Sequence, residues 1–381
     1  MSGVFFYVQH LLGIGHLRRA AIIARALRRS GLDVAFVSGG APLGEGEIEL
    51  DGARLVQLPP AFSADAQFSA IHDESGQPID DAWRARRKQI LFDHFAAIRP
   101  DLLLIEMYPF GRRQFAFELE PLMAAAKARG IPVAISLRDV LVAKNKLARN
   151  AEILAVVNRH VSAVLVHGDP ALVRLDATFP AVAEIEPPVI YTGYVAEAVI
   201  TPARHEARGE EILVSAGGGA VGGPLLRALL AARPATIVAD APWRLIAGPN
   251  LPEQEFSSLA ANLPATITLE RFRRDFPALM AKARLSISQA GYNTVMDILG
   301  TGACALVLPF AEGAESEQTL RARLLAERGL LALLEPPYEP ARLALAIDKA
   351  LLRPRPSAGG IDLGGAAATA RVIQDLMDRR R

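Results

Sequence analysis

A polar turn in the second half of the chain has the composition of a phosphate-binding site. Residues 289–294 read Gln-Ala-Gly-Tyr-Asn-Thr and lie between a short apolar run and a helical pattern. A turn of this kind leaves backbone N–H groups at the start of a helix, and the helix dipole adds partial positive charge there. Such a helix start can bind a diphosphate. Asp297 follows about one turn later, where its carboxylate could accept hydrogen bonds from the hydroxyls of a ribose.

A second glycine turn occurs in the same half. Residues 217–222 satisfy the pattern G-x-G-x-x-G between a predicted strand and a predicted helix. Glycine lets the backbone approach phosphate closely, so we expect a diphosphate contact at three residues, Gly217, Gly218 and Gly219. Asp240 follows about 20 residues later, so the pattern also mimics the dinucleotide fingerprint. Binding of NAD(P) is therefore one alternative, and a purely structural turn is another. A nucleotide sugar is favoured, because Asp240 is followed at once by Ala-Pro-Trp and does not clearly end a strand.

Three ionisable residues are candidates for proton transfer in the first half. His16 follows Gly13 and Gly15 and starts a helical pattern, and it could deprotonate a hydroxyl, donate to a diphosphate or cap the helix. Glu106 and Asp139 follow two later apolar runs, so they are predicted at strand ends on the same edge of a sheet as His16. Each is a rival base, although a carboxylate there can also cap the next helix. The sequence leaves the choice among the three open.

Alternating strands and helices must position these residues. Continuous apolar runs typical of buried parallel strands occur in both halves, at 4–8, 34–37, 102–105, 132–136, 163–166, 212–215, 243–248, 266–269, 284–288 and 305–308. Helical patterns separate most of them, which predicts two doubly wound α/β domains. We interpret residues 187–194 as the crossover between the domains.

The stretch 286–318 resembles the donor-nucleotide half of GT-B glycosyltransferases, in particular the family of the peptidoglycan N-acetylglucosaminyltransferase that completes lipid II. That family carries a small-residue/Gly turn, a Thr-Val pair, an acidic residue and a Pro-Phe loop ending in Gln. Here these features read Ala290-Gly291, Thr294-Val295, Asp297, Pro309-Phe310 and Gln318. The acid is usually Glu, and the family's paired glutamines become Glu317-Gln318 here. The Gly13-x-Gly15-His16 loop is similar to the N-terminal glycine loop of the same enzymes.

The resemblance implies a GT-B fold, with two facing Rossmann-like domains, an interdomain cleft and a C-terminal crossover helix. The expected parts are an acceptor domain at 1–193, a donor domain at 194–365 and a helix at 366–381 that packs back on the first domain. The implied activity is transfer of a hexose or N-acetylhexosamine from a UDP-sugar to a hydroxyl of an acceptor, without a metal or a tightly bound cofactor. The acceptor could be a small molecule, a lipid-linked molecule or a polysaccharide precursor.

The resemblance also implies roles for individual residues. Phe272 would lie against the base, Asp297 would bind the ribose, and His16 would deprotonate the acceptor. Glu317 and Gln318 would bind hydroxyls of the donor sugar. The remaining implied donor-site residues lie in the glycine turns and at the helix start, at Gly13, Gly15, Gly217, Gly218, Gly219, Gln289, Gly291, Asn293 and Thr294.

Composition limits the partners and the compartment. The 381 residues carry a net charge of +1, so no nucleic-acid partner is expected. The single cysteine, Cys304, fits a reducing compartment, and no signal peptide or membrane span is predicted, which favours the cytoplasm. The basic run 84–88 is more typical of a solvated helix face, but a peripheral contact with the inner face of a membrane stays open.

Three rival functions remain at this stage. A nucleotide-sugar hydrolase or epimerase on the same fold would release or convert the sugar without an acceptor. An NAD(P)-dependent oxidoreductase would need Asp240 for its cofactor. A non-catalytic nucleotide-binding module would keep the fold without donor chemistry.

Overall fold

The computed structural model describes residues 3–11, 15–42, 44, 48–63, 70–141, 147–197, 208–217, 222–310, 317–356 and 360–380. The chain forms two compact units. The first comprises Met1–Val195 together with Asp362–Arg381, and the second comprises Ala196–Ile361.

Within the described residues, the first unit is built on seven parallel strands. These are β1 (Gly3–Val8), β2 (Asp33–Ser38), β3 (Arg54–Gln57), β4 (Leu102–Glu106), β5 (Val133–Arg138), β6 (Ala163–His167) and β7 (Val189–Tyr191). They are arranged in the order β3-β2-β1-β4-β5-β6-β7. The order reverses between β1 and β4, and open α/β sheets bind ligands at such a switch point, beyond the carboxyl ends of the strands.

In the described part of this unit, four α-helices connect the strands, namely α1 (Gly15–Arg29), α2 (Asp81–Ile98), α3 (Ala116–Ala128) and α4 (Leu147–His160). They bury apolar stripes against the sheet, and α1 contributes Leu17, Ile23 and Leu27, each fully buried. Strands β1 and β4 are apolar on both faces because helices cover both sides of the sheet.

The interpretation of residues 187–194 as the crossover between the domains is wrong. Val189–Tyr191 pairs in parallel with β6 and forms the edge strand of the first sheet. Its three residues are only half-buried, so the sequence lacks the strongly apolar run that marks the other strands. The two units separate only after Val195.

The second unit repeats the same plan. In the part of it that the structure describes, the strands are β8 (Ile212–Ser215), β9 (Trp243–Ile246), β10 (Ile267–Glu270), β11 (Leu285–Ser288), β12 (Ala305–Val307) and β13 (Ala332–Leu333). The helices are α5 (Gly223–Ala232), α6 (Glu253–Ala260), α7 (Phe276–Lys282), α8 (Tyr292–Thr301), α9 (Glu317–Glu327) and α10 (Pro340–Leu351). The strand order β10-β9-β8-β11-β12-β13 places the switch point between β8 and β11.

The last helix, α11 (Gly365–Asp378), belongs to the first unit. Its buried residues Ala370, Ile373 and Met377 share a hydrophobic cluster with α1. The chain leaves the first unit and returns to it through adjacent backbone. Tyr194 N donates to the Asp362 carbonyl at 2.7 Å, and Gly365 N donates to the Tyr194 carbonyl at 3.0 Å. A Cβ at Gly365 would lie 2.3 Å from the carbonyl oxygen of residue 193, so this crossing requires glycine.

The basic run on α2 is not a uniformly solvated face. Arg86 and Lys88 are exposed, but Arg87 is fully buried. The Arg87 Nε donates to both carboxylate oxygens of Glu118, at 3.1 and 3.0 Å. Its Nη2 donates to the Tyr7 hydroxyl at 3.1 Å. Because Glu118 lies on α3 and Tyr7 on β1, this ion pair connects two helices and the central strand.

Candidate active site

The predicted diphosphate turn in the second unit is partly helical. Helix α8 already begins at Tyr292, so Asn293 and Thr294 lie in its first turn and not in a preceding loop. Gly291 is the residue before the helix, and its carbonyl accepts the first helical hydrogen bond, from Val295 N at 3.0 Å. The phosphate-binding feature of this segment is therefore the first turn of α8.

The two glycine turns meet at the switch point. Strands β8 and β11 are paired, with Ser215 opposite Ser288, so the residues that follow them lie side by side. Gly217 has a φ of +78°, and a Cβ there would lie 3.3 Å from the Oε1 of Gln289. The described part of the predicted diphosphate site is thus brought together by strand pairing. Gly218 and Gly219 lie outside the described residues.

Asp297 and Phe272 occupy contrasting environments. Asp297 is on α8 and only 6% exposed, whereas Phe272 follows β10 and is 48% exposed. Both belong to segments that follow the carboxyl ends of strands in the second sheet. An exposed aromatic ring at this edge is suited to stacking against a base, and a shielded carboxylate is suited to accepting hydroxyl hydrogen bonds.

Glu317 and Gln318 do not close a loop, as predicted, but begin α9. Glu317 is 3% exposed, and its Oε1 accepts a hydrogen bond from the Nη2 of Arg321 at 3.0 Å. The Gln318 Oε1 accepts from the backbone N–H of Phe310 at 3.2 Å. Arg321 was not predicted from the sequence, although an acid and an arginine four residues apart on a helix are expected to pair.

The position of Asp240 argues against a dinucleotide site. The acid of the dinucleotide fingerprint must follow the second strand of its unit, at the edge where the glycine turn lies. Asp240 is exposed and precedes β9, so it lies at the opposite edge of the sheet. The Ala-Pro-Trp sequence after Asp240, which made a dinucleotide site less favoured, leads into β9, whose first residue is Trp243.

In the first unit, the structure pairs two of the three candidate bases. The Nδ1 of His16, at the start of α1, lies 3.1 Å from the Oε1 of Glu106, at the end of β4. Arg19 forms an ion pair with the same oxygen, and the Ser136 hydroxyl donates to Oε2. Gly15 is the first residue of α1, and Gly13 lies outside the described residues. The pair occupies the switch point between β1 and β4.

Asp139 has a different environment. It is 1% exposed and accepts a hydrogen bond from the Tyr194 hydroxyl at 3.0 Å. Glu106 is likewise buried, whereas the His16 side chain is 18% exposed. Of the three candidates, His16 is the one with access to a ligand.

Burial and charge fix the protonation of this pair. Burial, together with the nearby Arg112, lowers the pKa of His16 to about 3. Burial alone would raise the pKa of Glu106, but Arg19 and the hydrogen bonds from His16 and Ser136 hold it well below its usual range. Two groups approach Nδ1: the Arg19 Nη2 at 3.3 Å can only donate to it, and the ionised Glu106 carboxylate at 3.1 Å can only accept from it. The shorter, charge-assisted contact with Glu106 favours a neutral His16 with its proton on Nδ1, which leaves Nε2 as a proton acceptor.

A second histidine extends the polar network. The His167 Nε2 lies 2.9 Å from the Ser136 hydroxyl, and its Nδ1 lies 2.9 Å from the hydroxyl of Thr192. Burial and the charge of Arg19 lower the pKa of His167 to about 3. A network of this kind spans the carboxyl ends of β4, β5 and β6 and holds Glu106 in place.

The low pKa values of His16 and His167 predict how stability depends on pH. In the unfolded chain both imidazoles take up a proton below about pH 6.5, whereas in the folded chain they stay neutral down to about pH 3. The unfolded state binds more protons in this window, so the free energy of unfolding falls as the pH is lowered from 7 to 4. Each histidine contributes a slope of up to about 1.4 kcal/mol per pH unit.

Urea denaturation across this pH range measures the effect. The variant His167→Gln is expected to show a shallower slope than the wild type. Equal slopes for the two proteins would contradict the assignment of a neutral, buried His167.

The architecture has a known counterpart. The chain is similar to a crystal structure of Acinetobacter baumannii MurG, with a TM-score of 0.62 and 19% identity over 98% of this chain and 100% of that one. It is also similar to the glycosyltransferase of kitacinnamycin, with a TM-score of 0.62 and 16% identity over 100% of this chain and 99% of that one. Both similar structures are glycosyltransferases, and each matches nearly the whole of this chain. The expected GT-B fold is therefore confirmed.

Sequence comparison identifies the second unit more closely. Residues 218–358 match the glycosyltransferase family 28 C-terminal domain. A 149-residue stretch is 32% identical to the UDP-N-acetylglucosamine–N-acetylmuramyl-(pentapeptide) pyrophosphoryl-undecaprenol N-acetylglucosamine transferase of Ralstonia nicotianae, covering 37% of this chain and 40% of the relative. The same transferase of Paracidovorax citrulli is 31% identical over 130 residues, 33% of this chain and 36% of the relative.

These alignments span about two fifths of the length of the curated relatives. The prediction of a MurG-like, GT-B glycosyltransferase is confirmed at the level of fold and of the family 28 domain.

Proposed function

We propose that the chain transfers a hexose or an N-acetylhexosamine from a UDP-sugar to a hydroxyl group of an acceptor. The observation that carries the proposal is the switch point of the second sheet. There Gly217 lies next to Gln289, which shortly precedes α8, and the shielded carboxylate of Asp297 lies on that helix. The family 28 domain match covers α8 and α9, and the relatives it resembles are named for a UDP-sugar donor.

In the proposed donor complex, backbone groups of the glycine turns and of the first turn of α8 hold the diphosphate. Phe272 lies against the base, Asp297 accepts hydrogen bonds from the ribose, and Glu317 and Gln318 bind hydroxyls of the sugar. Gln289, beside Gly217, contacts the diphosphate side of the donor. The positive end of the α8 dipole stabilises the charge that develops on the leaving diphosphate.

In the proposed acceptor step, the Nε2 of His16 takes the proton of the attacking hydroxyl. Glu106 orients the imidazole through Nδ1 and stabilises the positive charge that forms on it, which is a positioning role. The contact between Asp139 and Tyr194 supports a structural role for that carboxylate. General-base assistance contributes about 10²- to 10⁴-fold in rate when the pKa of the base lies near the working pH, so the low pKa of His16 places its expected contribution at the lower end of this range.

We propose that this transfer needs no metal ion and no tightly bound cofactor, since the helix start supplies positive charge to the diphosphate. Among the described residues, no group of three or more His, Cys, Asp or Glu side chains could hold a metal ion. Turnover that is unchanged by EDTA is the expected result, whereas activity restored only by added Mg²⁺ or Mn²⁺ would contradict the proposal.

The relatives' name specifies a pyrophosphoryl-undecaprenol acceptor, and a lipid-linked acceptor is our proposal for this chain too. A lipid-linked acceptor implies that the chain acts at the cytoplasmic face of a membrane, where Arg86 and Lys88 could contact anionic lipids. In the described part of the chain, no helix is long and apolar enough to cross a membrane. Sedimentation with vesicles containing anionic lipid, for the wild type and for Arg86→Gln/Lys88→Gln, tests this contact.

Thermal denaturation with UDP, GDP, dTDP, CMP and NADPH tests the donor site. A ligand at about 100 times its dissociation constant adds about 2.7 kcal/mol of stability, so UDP should raise the melting temperature of the wild type. Asp297→Ala removes the proposed ribose contact, so it should lose most of this shift. A shift with NADPH alone would overturn the transferase proposal.

Release of UDP from UDP-N-acetylglucosamine and UDP-glucose then tests catalysis. We expect release that depends on an added acceptor, such as an undecaprenyl diphosphate saccharide or a soluble glycoside. Equal release without any acceptor would identify a nucleotide-sugar hydrolase, and conversion of the sugar without release would identify an epimerase. Binding of UDP without either reaction would favour a binding module.

A further inference from the structure

We propose that Arg321 is a positioning residue that fixes the Glu317 carboxylate for the hydroxyl groups of the donor sugar. The inference deepens the proposed function and rests on it. Arg321 was not among the residues predicted from the sequence, and it does not contact the reacting atoms in the proposed mechanism. Its role follows from the contacts of its guanidinium.

The first observation is the burial of both partners. Arg321 is 0% exposed and Glu317 is 3% exposed, and they lie four residues apart on α9 with 3.0 Å between Nη2 and Oε1. A buried carboxylate is costly unless a cation compensates its charge. An ordinary surface pair on the same helix provides the contrast, since Arg323 pairs with Glu335 while both side chains are more than one third exposed.

The second observation links this ion pair to the diphosphate turn. The Arg321 guanidinium lies over the ring of Tyr292 at 5.4 Å, and its Nη1 is 3.5 Å from the Ala290 carbonyl. Tyr292 is the first residue of α8, and Ala290 precedes it. One guanidinium thus connects the proposed sugar ligand on α9 with the proposed diphosphate ligand on α8.

The chemistry of the pair suggests what it recognises. A carboxylate oxygen accepts short, strong hydrogen bonds from hydroxyl groups, and its direction is set by the bond that its other partner makes. With Oε1 held by Arg321, rotation of the Glu317 carboxylate is restricted. The proposed ligand is therefore a pair of neighbouring hydroxyls on a pyranose linked to UDP, and Arg321 contributes by pre-organisation of the acceptor oxygen.

The test measures affinities for UDP and for UDP-N-acetylglucosamine or UDP-glucose, whichever the wild type turns over, by isothermal titration. The informative quantity is the ratio of the two dissociation constants, since it isolates the sugar. Arg321→Met and Glu317→Gln are each expected to shift this ratio against the sugar nucleotide by about tenfold or more, because a charge-assisted hydrogen bond is lost. Arg323→Met, the matched control on the same helix, should leave the ratio unchanged.

Non-additivity decides whether Arg321 acts through Glu317. The double variant Glu317→Gln/Arg321→Met should shift the ratio no further than Glu317→Gln alone. Arg321→Lys, which keeps the charge, should recover part of the loss. If Arg321→Met does not fold, the ratio is measured for Arg321→Lys and for the double variant instead. Neither of these variants leaves a buried charge uncompensated.

Additive effects of the two substitutions on the ratio would overturn the positioning role. So would an Arg321→Met variant that weakens UDP and the UDP-sugar equally, because that result indicates damage to the diphosphate turn. If either result is obtained while the wild type binds UDP and turns over the sugar nucleotide, only the role of Arg321 is overturned and the proposed function stands. A wild type that binds no UDP-sugar would overturn the proposed function itself.

Discussion

Replacing His16 by alanine is expected to lower kcat by about 10²-fold while leaving the affinity for UDP unchanged. The expectation follows from geometry, because His16 is the candidate base with an exposed edge and an oriented tautomer. UDP is bound in the proposed mechanism by the second unit, so its dissociation constant should not change. Steady-state kinetics with saturating UDP-sugar and titration with UDP measure the two quantities.

The pH profile adds an independent check on the base. Because the pKa of His16 is lowered to about 3, the imidazole is neutral throughout the range from pH 5 to 8. The value of kcat/KM should therefore show no decline near pH 6.5, where an ordinary histidine takes up its proton. A decline there would show that His16 has an unshifted pKa in the working enzyme.

Two further variants separate the roles of the carboxylates. Glu106→Gln keeps the shape but removes the charge that orients His16, and it should lower kcat without changing the KM for the UDP-sugar. Asp139→Asn should have a much smaller effect on kcat, since Asp139 contacts Tyr194. If Asp139→Asn abolished turnover while His16→Ala retained it, the assignment of the base would be wrong.

Replacing Arg87 by methionine is expected to destabilise the first unit by about 3–5 kcal/mol. The reason is that Glu118 would keep a buried charge without its cation. The adjacent Arg86→Met is the matched control, because Arg86 is exposed and surface substitutions usually change stability by about 0.5 kcal/mol or less. The double variant Arg87→Met/Glu118→Met should recover much of the loss, since an apolar pair can replace a buried ion pair.

The sequence provides a local reporter for this experiment. It contains two tryptophans, and Trp83 lies in the first unit with the Arg87 guanidinium 5.3 Å from its ring. In a Trp243→Phe background, the fluorescence of Trp83 follows urea unfolding of the first unit alone, which avoids a two-state treatment of the whole chain. Equal stability of the Arg87→Met and Arg86→Met variants would contradict the importance of the buried pair.

Ten of the thirteen described strands could be predicted, because they are buried parallel strands with continuous apolar runs, whereas the mostly exposed or half-buried β3, β7 and β13 were missed. The errors concern short or polar segments. Val189–Tyr191 is a half-buried edge strand, so its sequence resembles a linker. Helices α8 and α9 begin with polar residues that also favour turns, so Asn293, Thr294 and Glu317 were predicted as loop residues although they lie in first helical turns.

The candidate residues could be placed at the sheet edges from the sequence, but their contacts could not. His16 and Glu106 were both predicted at the sheet edge, since strand ends in a parallel sheet lie together. Their partner Arg19 is separated from Glu106 by 87 positions, and Arg87 from Glu118 by 31 positions. The i, i+4 spacing of Trp83, Arg87, Leu91 and Phe95 places Arg87 on the buried face of α2. Its partner Glu118 depends on tertiary packing and could not be predicted from a local pattern.

The return of the chain to the first unit has a consequence for biosynthesis. The second unit is inserted between Val195 and Asp362, so the ribosome must complete it before α11 can cover its part of α1. Until then, the side chains that pack against Ala370, Ile373 and Met377 are open to water and to other nascent chains. A product truncated before Gly365 would therefore be defective in its first-made unit, and its exposed apolar surface would mark it for chaperones or degradation.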